Sequence, residues 1–138
     1  MEKKKIMIVE DSSTMRLILR NLLYKDPNMV VVKSAVNGIE ALEALNQTPL
    51  DLILLDLEMP EMGGLEFLRH ARLKTRAKIV VLSSIALAGS QVAIEAHNLG
   101  ADAVLSKPSG AVSFDMEEKR GAEFWQVLYQ LLGLQHEQ

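Results

Sequence analysis

Five short, unbroken apolar runs constrain this chain more than any other feature: Ile6–Val9, Val30–Val32, Leu52–Leu55, Ile79–Leu82 and Ala103–Leu105. None of them alternates apolar with polar residues. A strand with one face in water alternates, whereas a strand covered on both faces does not, and covered strands are the rule in parallel sheets. The segments between the runs carry a different period. Met15, Ile18, Leu19, Leu22 and Leu23 recur at helical spacing behind Ser12 or Ser13, either of which suits an N-cap. Ile39, Leu42 and Leu45 mark a second helix entered through Asn37-Gly38, and Leu65 and Leu68 mark a short third one after Gly63-Gly64. Val92, Ala96 and Leu99 mark a fourth, closed by Gly100. Phe124, Val127, Leu128, Leu131 and Leu132 mark a fifth, closed by Gly133. The order is strand then helix, five times over. Right-handed crossovers turn that order into a parallel sheet with helices on both faces, a doubly wound α/β domain.

Composition narrows the function classes. The 138 residues suit one domain, expected over residues 1–134 with a frayed tail at 135–138, and 49% apolar content supplies a core. A formal net charge of -3 argues against a nucleic-acid partner. The lysines at 3–5 read as the solvated lip of the first strand. There is no cysteine, which excludes disulfides and thiolate metal sites. No apolar stretch approaches the roughly 20 residues of a membrane helix. The apolar part of the N-terminal segment, Ile6–Val9, is too short for a signal peptide. A soluble cytoplasmic protein without membrane insertion is the expectation. Pro108 to Gly121 is polar and long for a strand–helix connection, and is expected to be a solvated or partner-contacting loop.

The stretch LDLILLDLEMPEMGG, residues 50–64, poses the functional question. A segment built for burial ends on Asp56, and an unpaired buried carboxylate is costly. In an open parallel sheet, ligands bind beyond the carboxyl ends of the strands. Those ends carry Glu10-Asp11 after the first run, Asp56 after the third, Ser83-Ser84 after the fourth and Ser106-Lys107-Pro108 after the fifth. Taken singly, each has a plainer reading as a cap, a turn or a solvated loop residue. Together on one edge they form a chemistry. Clustered acids repel and their pKa values rise unless a cation offsets them. Mg²⁺ takes oxygen ligands, needs only one or two carboxylates and completes its shell with water and phosphate oxygens. A lysine can hold a phosphate as a point charge, a serine hydroxyl can donate to a phosphoryl oxygen, and an aspartate can itself be the nucleophile. The set fits phosphoryl transfer to Asp56.

The segments IMIVEDS, LILLDLEMPEMGGLEFL, KIVVLSS and AVLSKPSG together resemble the receiver domain of two-component response regulators over nearly the whole chain. That resemblance implies a flavodoxin-like (β/α)5 fold with strand order 2-1-3-4-5. It also implies roles. Asp56 would be the phosphoacceptor, charged by a histidine kinase (CheA-like or other) or a small phosphodonor. Glu10, Asp11 and Asp56 would hold Mg²⁺, with the Glu58 backbone carbonyl as a further ligand and the Glu58 side chain left free at the mouth of the site. Ser83 would move toward the phosphoryl group, Lys107 would contact it, Pro108 would be cis, and Pro60 would shape the loop beyond Asp56. The protein would be a signalling switch rather than an enzyme, its output passing to a downstream protein through helix four, strand five and helix five.

Within receivers, VLSSIALAGS and LSKPSGAVSFDM most resemble the regulatory domain of CheB-type chemotaxis methylesterases. No G-x-S-x-G-like nucleophile turn occurs in the chain, so the expectation is a stand-alone receiver or an excised regulatory domain, without esterase activity. Three positions depart from the receiver pattern, one of them Gly63, which stands where an acid is common before Gly64 and to which no chemistry is attached. Glu10 stands where aspartate is commonest, and Val104 stands where a switching aromatic is usual, which places the weight of signalling on Ser83. Two other readings remain: a binding module that is never phosphorylated, and a phosphatase in which Glu58 acts as a second acid.

Overall fold

The structure, a computed structural model, describes residues 2–59, 62–83, 90–107 and 114–134, and for 114–122 it describes the backbone alone. The strands are β1 (Lys4–Val9), β2 (Met29–Ala35), β3 (Leu52–Asp56), β4 (Lys78–Ser83) and β5 (Ala103–Ser106). The helices are α1 (Ser13–Tyr24), α2 (Gly38–Leu45), α3 (Gly64–Ala71), α4 (Gln91–Asn98) and α5 (Phe114–Leu132). All pairings are parallel and the sheet order is β2-β1-β3-β4-β5.

The unbroken apolar runs of β1, β3 and β4 are explained by two cores, whereas in edge strand β2, expected to be covered as well, Val30 and Val32 stand exposed. Met7, Val9, Ile53, Leu55, Ile79 and Val81 face the side covered by α2, α3 and α4, among Ala41, Phe67, Leu68 and Ala96. Ile6, Ile8, Leu52, Leu54, Val80 and Leu82 face the other side, against Leu19 and Leu23 of α1 and Phe124 and Leu128 of α5. Successive strand residues point to opposite faces, and since both faces are apolar, each strand residue must be apolar too. Burying a side chain of this size contributes roughly 1.5–3 kcal/mol, so the central strand is fixed from both sides.

The helix starts follow the sequence closely. Ser12 caps α1 by accepting from Met15 N at 3.2 Å, Asn37 caps α2 by accepting from Glu40 N at 2.8 Å, and Ser90 caps α4 by accepting from Ala93 N at 3.2 Å. Gly100 (φ 113°) and Gly133 (φ 70°) supply left-handed turns after α4 and α5. One expectation is corrected. The stretch 114–121, expected as loop, is the first part of α5. It is polar, but Met116, Glu117, Glu118, Lys119 and Arg120 are good helix formers, and the absence of an apolar stripe there hid them. Residues 108–113 and the tail 135–138 lie outside the described residues.

Candidate phosphoacceptor site

Register puts the functional residues together. Val9 pairs with Leu55, Asp56 with Leu82 and Ser83 with Ser106, so β1, β3, β4 and β5 stop at one edge. The residues just past the strands remain tied to neighbouring strands. Glu10 N donates to Ala35 O at 2.9 Å, Leu57 N to Leu82 O at 3.1 Å and Lys107 N to Ser83 O at 3.1 Å. The side chains beyond the sheet are therefore delivered by strand geometry rather than by loose loops.

Gly64 brings α3 against this edge. A Cβ on Gly64 would lie 2.8 Å from Asp56 O and 2.9 Å from Leu57 Cα, both backbone atoms that cannot yield. Glycine is what allows the helix to start there.

Asp56 and Glu10 are each 2% exposed, whereas Asp11 stands in solvent. Lys107 Nζ lies 2.8 Å from Asp56 Oδ1 and 3.4 Å from Glu10 Oε1. Asp56 Oδ1 also accepts from Glu58 N at 3.0 Å, while Asp56 Oδ2 is buried with no hydrogen-bond partner. Glu10 Oε2 accepts from Ser12 N at 3.0 Å, which folds the carboxylate over the start of α1. One carboxylate oxygen from each of Glu10, Asp11 and Asp56 gathers within 4.8 Å.

The electrostatics follow from that crowding. Burial pushes the Glu10 carboxyl up to about 7, opposed by the Ser12 N–H and reinforced by Asp56. Burial also raises Asp56, against the opposing pull of Lys107, Glu10 and the Glu58 N–H. For Lys107 burial works downward, but the Asp56 and Glu10 carboxylates outweigh it and hold the ammonium above its usual range. With all three ionised, the clustered carboxylates outnumber the one ammonium by two, the charge of one divalent cation, and the unpartnered Asp56 Oδ2 is an acceptor without a donor. The residues fit a hard, oxygen-ligated cation.

A comparison with protein families matches residues 6–116 to the response regulator receiver domain. The chain belongs to that family. The receiver is 39% identical over 117 residues to a protein-glutamate methylesterase/protein-glutamine glutaminase of Treponema denticola, covering 84% of this chain and 32% of that protein. A second such protein, from Carboxydothermus hydrogenoformans, is 39% identical over 118 residues, covering 86% and 33%. The receiver thus spans about a third of the length of these curated relatives. Among solved structures, the response regulator domain of Thermotoga maritima CheB superposes with a TM-score of 0.83 at 29% identity, covering 98% of this chain and all of that one (100%). A structure of the P1 domain of CheA3 in complex with CheY6 from R. sphaeroides matches with a TM-score of 0.80 at 48% identity, covering 96% and 99%. The expected fold and strand order hold, and the receiver is of the CheY/CheB type, a signalling switch.

The receiver's geometry also revises the sequence reading. Glu10, Asp11, Asp56, Ser83 and Lys107 do share one edge. The Glu58 side chain is not left free: its Oε2 accepts from the Ser83 hydroxyl at 2.7 Å. Val104 is half-buried in β5 and packs on the α2–α4 core. Pro60 and Pro108 lie outside the described residues. Arg16 was missed. Its Nη1 donates to Glu10 O at 2.8 Å and Asp11 O at 3.0 Å, pinning the backbone of the acid pair. Nothing in a helical stripe distinguishes an arginine that turns back on its own N-terminus from one that points to water. Among the described residues no helix is long and apolar enough to cross a membrane.

Proposed function

We propose that this receiver accepts a phosphoryl group on Asp56 from the phosphohistidine of a CheA-like histidine kinase, in a Mg²⁺-dependent reaction, and then presents a changed surface to a partner. The observation that carries this reading is the strand-end cluster itself: a buried Asp56 with one oxygen on Lys107 and the other unpartnered, beside two further acids. A carboxylate oxygen of Asp56 attacks phosphorus, the P–O bond forms as the P–N bond breaks, and the imidazole leaves. Lys107 already sits against Asp56 and Glu10, so it can neutralise charge on the phosphoryl oxygens without a large move. Glu10, Asp11, Asp56 and the Glu58 carbonyl would hold Mg²⁺, which when bound offsets charge on the carboxylates and the phosphoryl group. Ser83 would then donate its hydroxyl to the phosphoryl group.

We assign the output surface to α4, β5 and α5, since β5 ends at the site edge with Ser106 paired to Ser83. The similarity to methylesterase receivers and to a receiver solved with a kinase P1 domain supports a chemotaxis setting. Esterase chemistry would reside in a separate domain, and the receiver itself would contribute at most self-catalysed phosphotransfer and dephosphorylation. We place the exchange in the cytoplasm.

Intact mass after incubation with Mg²⁺ and acetyl phosphate tests the reading. Wild type is expected to gain one phosphoryl group and Asp56→Asn none. Equal labelling of the two, or none with either acetyl phosphate or a phosphorylated kinase P1 domain, rules it out.

A further inference from the structure

Ser83 closes β4 and is 1% exposed. A hydroxyl has one proton to donate. Here that proton goes to Glu58 Oε2 at 2.7 Å, a charge-assisted bond about twice as strong as a neutral one. Glu58 is meanwhile anchored by its own N–H to Asp56 Oδ1 at 3.0 Å. The residue therefore holds the acceptor aspartate with its backbone and the switch serine with its side chain.

We propose that the Glu58 carboxylate is a latch on Ser83: it competes with the phosphoryl group for the single Ser83 proton and so sets how readily the receiver switches. This rests on Asp56 being the phosphoacceptor. Before phosphorylation the carboxylate keeps the hydroxyl. After phosphorylation a more highly charged acceptor is created on Asp56, and the proton can serve only one of the two. Glu58 is a positioning residue that acts through Ser83. Its metal-facing atom would be the backbone carbonyl, so its side chain can be changed without altering a ligand atom.

An anionic Glu58 would also repel a phosphoryl group directly, and a double-mutant cycle separates that effect from the latch. Beryllofluoride affinity in Mg²⁺ is measured by ¹⁹F NMR for wild type, Glu58→Gln, Ser83→Ala and the double variant. The latch predicts that Glu58→Gln tightens binding roughly tenfold when Ser83 is present, the scale of one charge-assisted hydrogen bond. It predicts a change of less than about twofold in the Ser83→Ala background, where no proton is contested. Glu58→Ala, which removes the acceptor altogether, repeats that pattern. The same tightening in both backgrounds, or none in either, overturns the latch and leaves the phosphoacceptor intact. A wild-type protein that binds no beryllofluoride overturns both.

Discussion

Three acids at each edge of the sheet can be set side by side, and the two edges treat them differently. At the amino edge Asp26, Asp51 and Asp102 stand just ahead of β2, β3 and β5 and serve as staples. Asp26 accepts from Asn28 N at 2.7 Å and from the Tyr129 hydroxyl, which in turn receives Asn28 Nδ2 at 3.2 Å. Asp51 accepts from Lys5 N at 2.7 Å, joining the start of β3 to β1. Asp102 accepts from Ile79 N at 2.8 Å and pairs with Arg72 at 3.5 Å. At the carboxyl edge Glu10, Asp11 and Asp56 are drawn into mutual repulsion, with one lysine among them and a buried oxygen left over. The same functional group is thus spent on stability at one end and held in reserve for chemistry at the other.

The sharpest way to break this comparison is to exchange carboxylate for amide at each edge. Asp56→Asn is expected to abolish phosphoryl incorporation, while Asp51→Asn and Asp102→Asn keep it, as read by intact mass after acetyl phosphate treatment. Loss of incorporation in the amino-edge variants, with folding intact by circular dichroism, would mean that the edges are not separable.

The pH dependence of stability comes next in size. Glu10 sits at about 7 in the folded protein against an ordinary value of 4.5, so the folded state binds that proton more tightly than the unfolded chain. Its contribution is fully present below about 4.5 and is lost as pH rises toward about 7, on the order of 3 kcal/mol across the window. Asp56, also raised, works in the same direction. Urea titrations without Mg²⁺ should show wild type losing stability relative to Glu10→Gln over that range. A constant difference would show that the acids are not strained.

Two changes at the amino edge test the stapling side. Arg72 donates to Gly100 O and Ala77 O at 2.8 Å and to Thr75 O at 3.2 Å, locking the turn before β4 to the turn before β5. Arg72→Ala should cost about 2–3 kcal/mol in chemical denaturation and leave acetyl phosphate labelling in place. Tyr129→Phe removes only the hydroxyl bridging Asp26 and Asn28 and should cost about 1 kcal/mol. A larger loss for Tyr129→Phe than for Arg72→Ala would reverse the ranking of these two staples.

What the sequence disclosed and what it withheld divide along a physical line. The inner strands β1, β3 and β4 were legible because both their faces are covered, which leaves an unbroken apolar run; edge strand β2 kept such a run although Val30 and Val32 are exposed. The site edge was legible because Asp56, Ser83 and Lys107 follow those runs directly. Strand order was not readable from pattern, since it depends on how the crossovers pack, and it came from family resemblance. The start of α5 was hidden because helix-forming but polar residues leave no stripe. Arg72 with Gly100 and Tyr129 with Asp26 were invisible for another reason: their partners lie far away in the chain, and no local spacing encodes them. Glu58 was misjudged in the same way, since Ser83 lies on another strand end.

The two glycines at the start of α3 are neighbours with opposite freedom to vary. A side chain at Gly63 would meet only ordinary van der Waals contacts, at 3.7 Å or more, whereas one at Gly64 would collide with the backbone of Asp56. A library that randomises both positions should therefore return almost any small residue at 63 and glycine alone at 64. Drift in this loop is open up to that point and closed there, because the next α-carbon rests against the residue on which the switch depends.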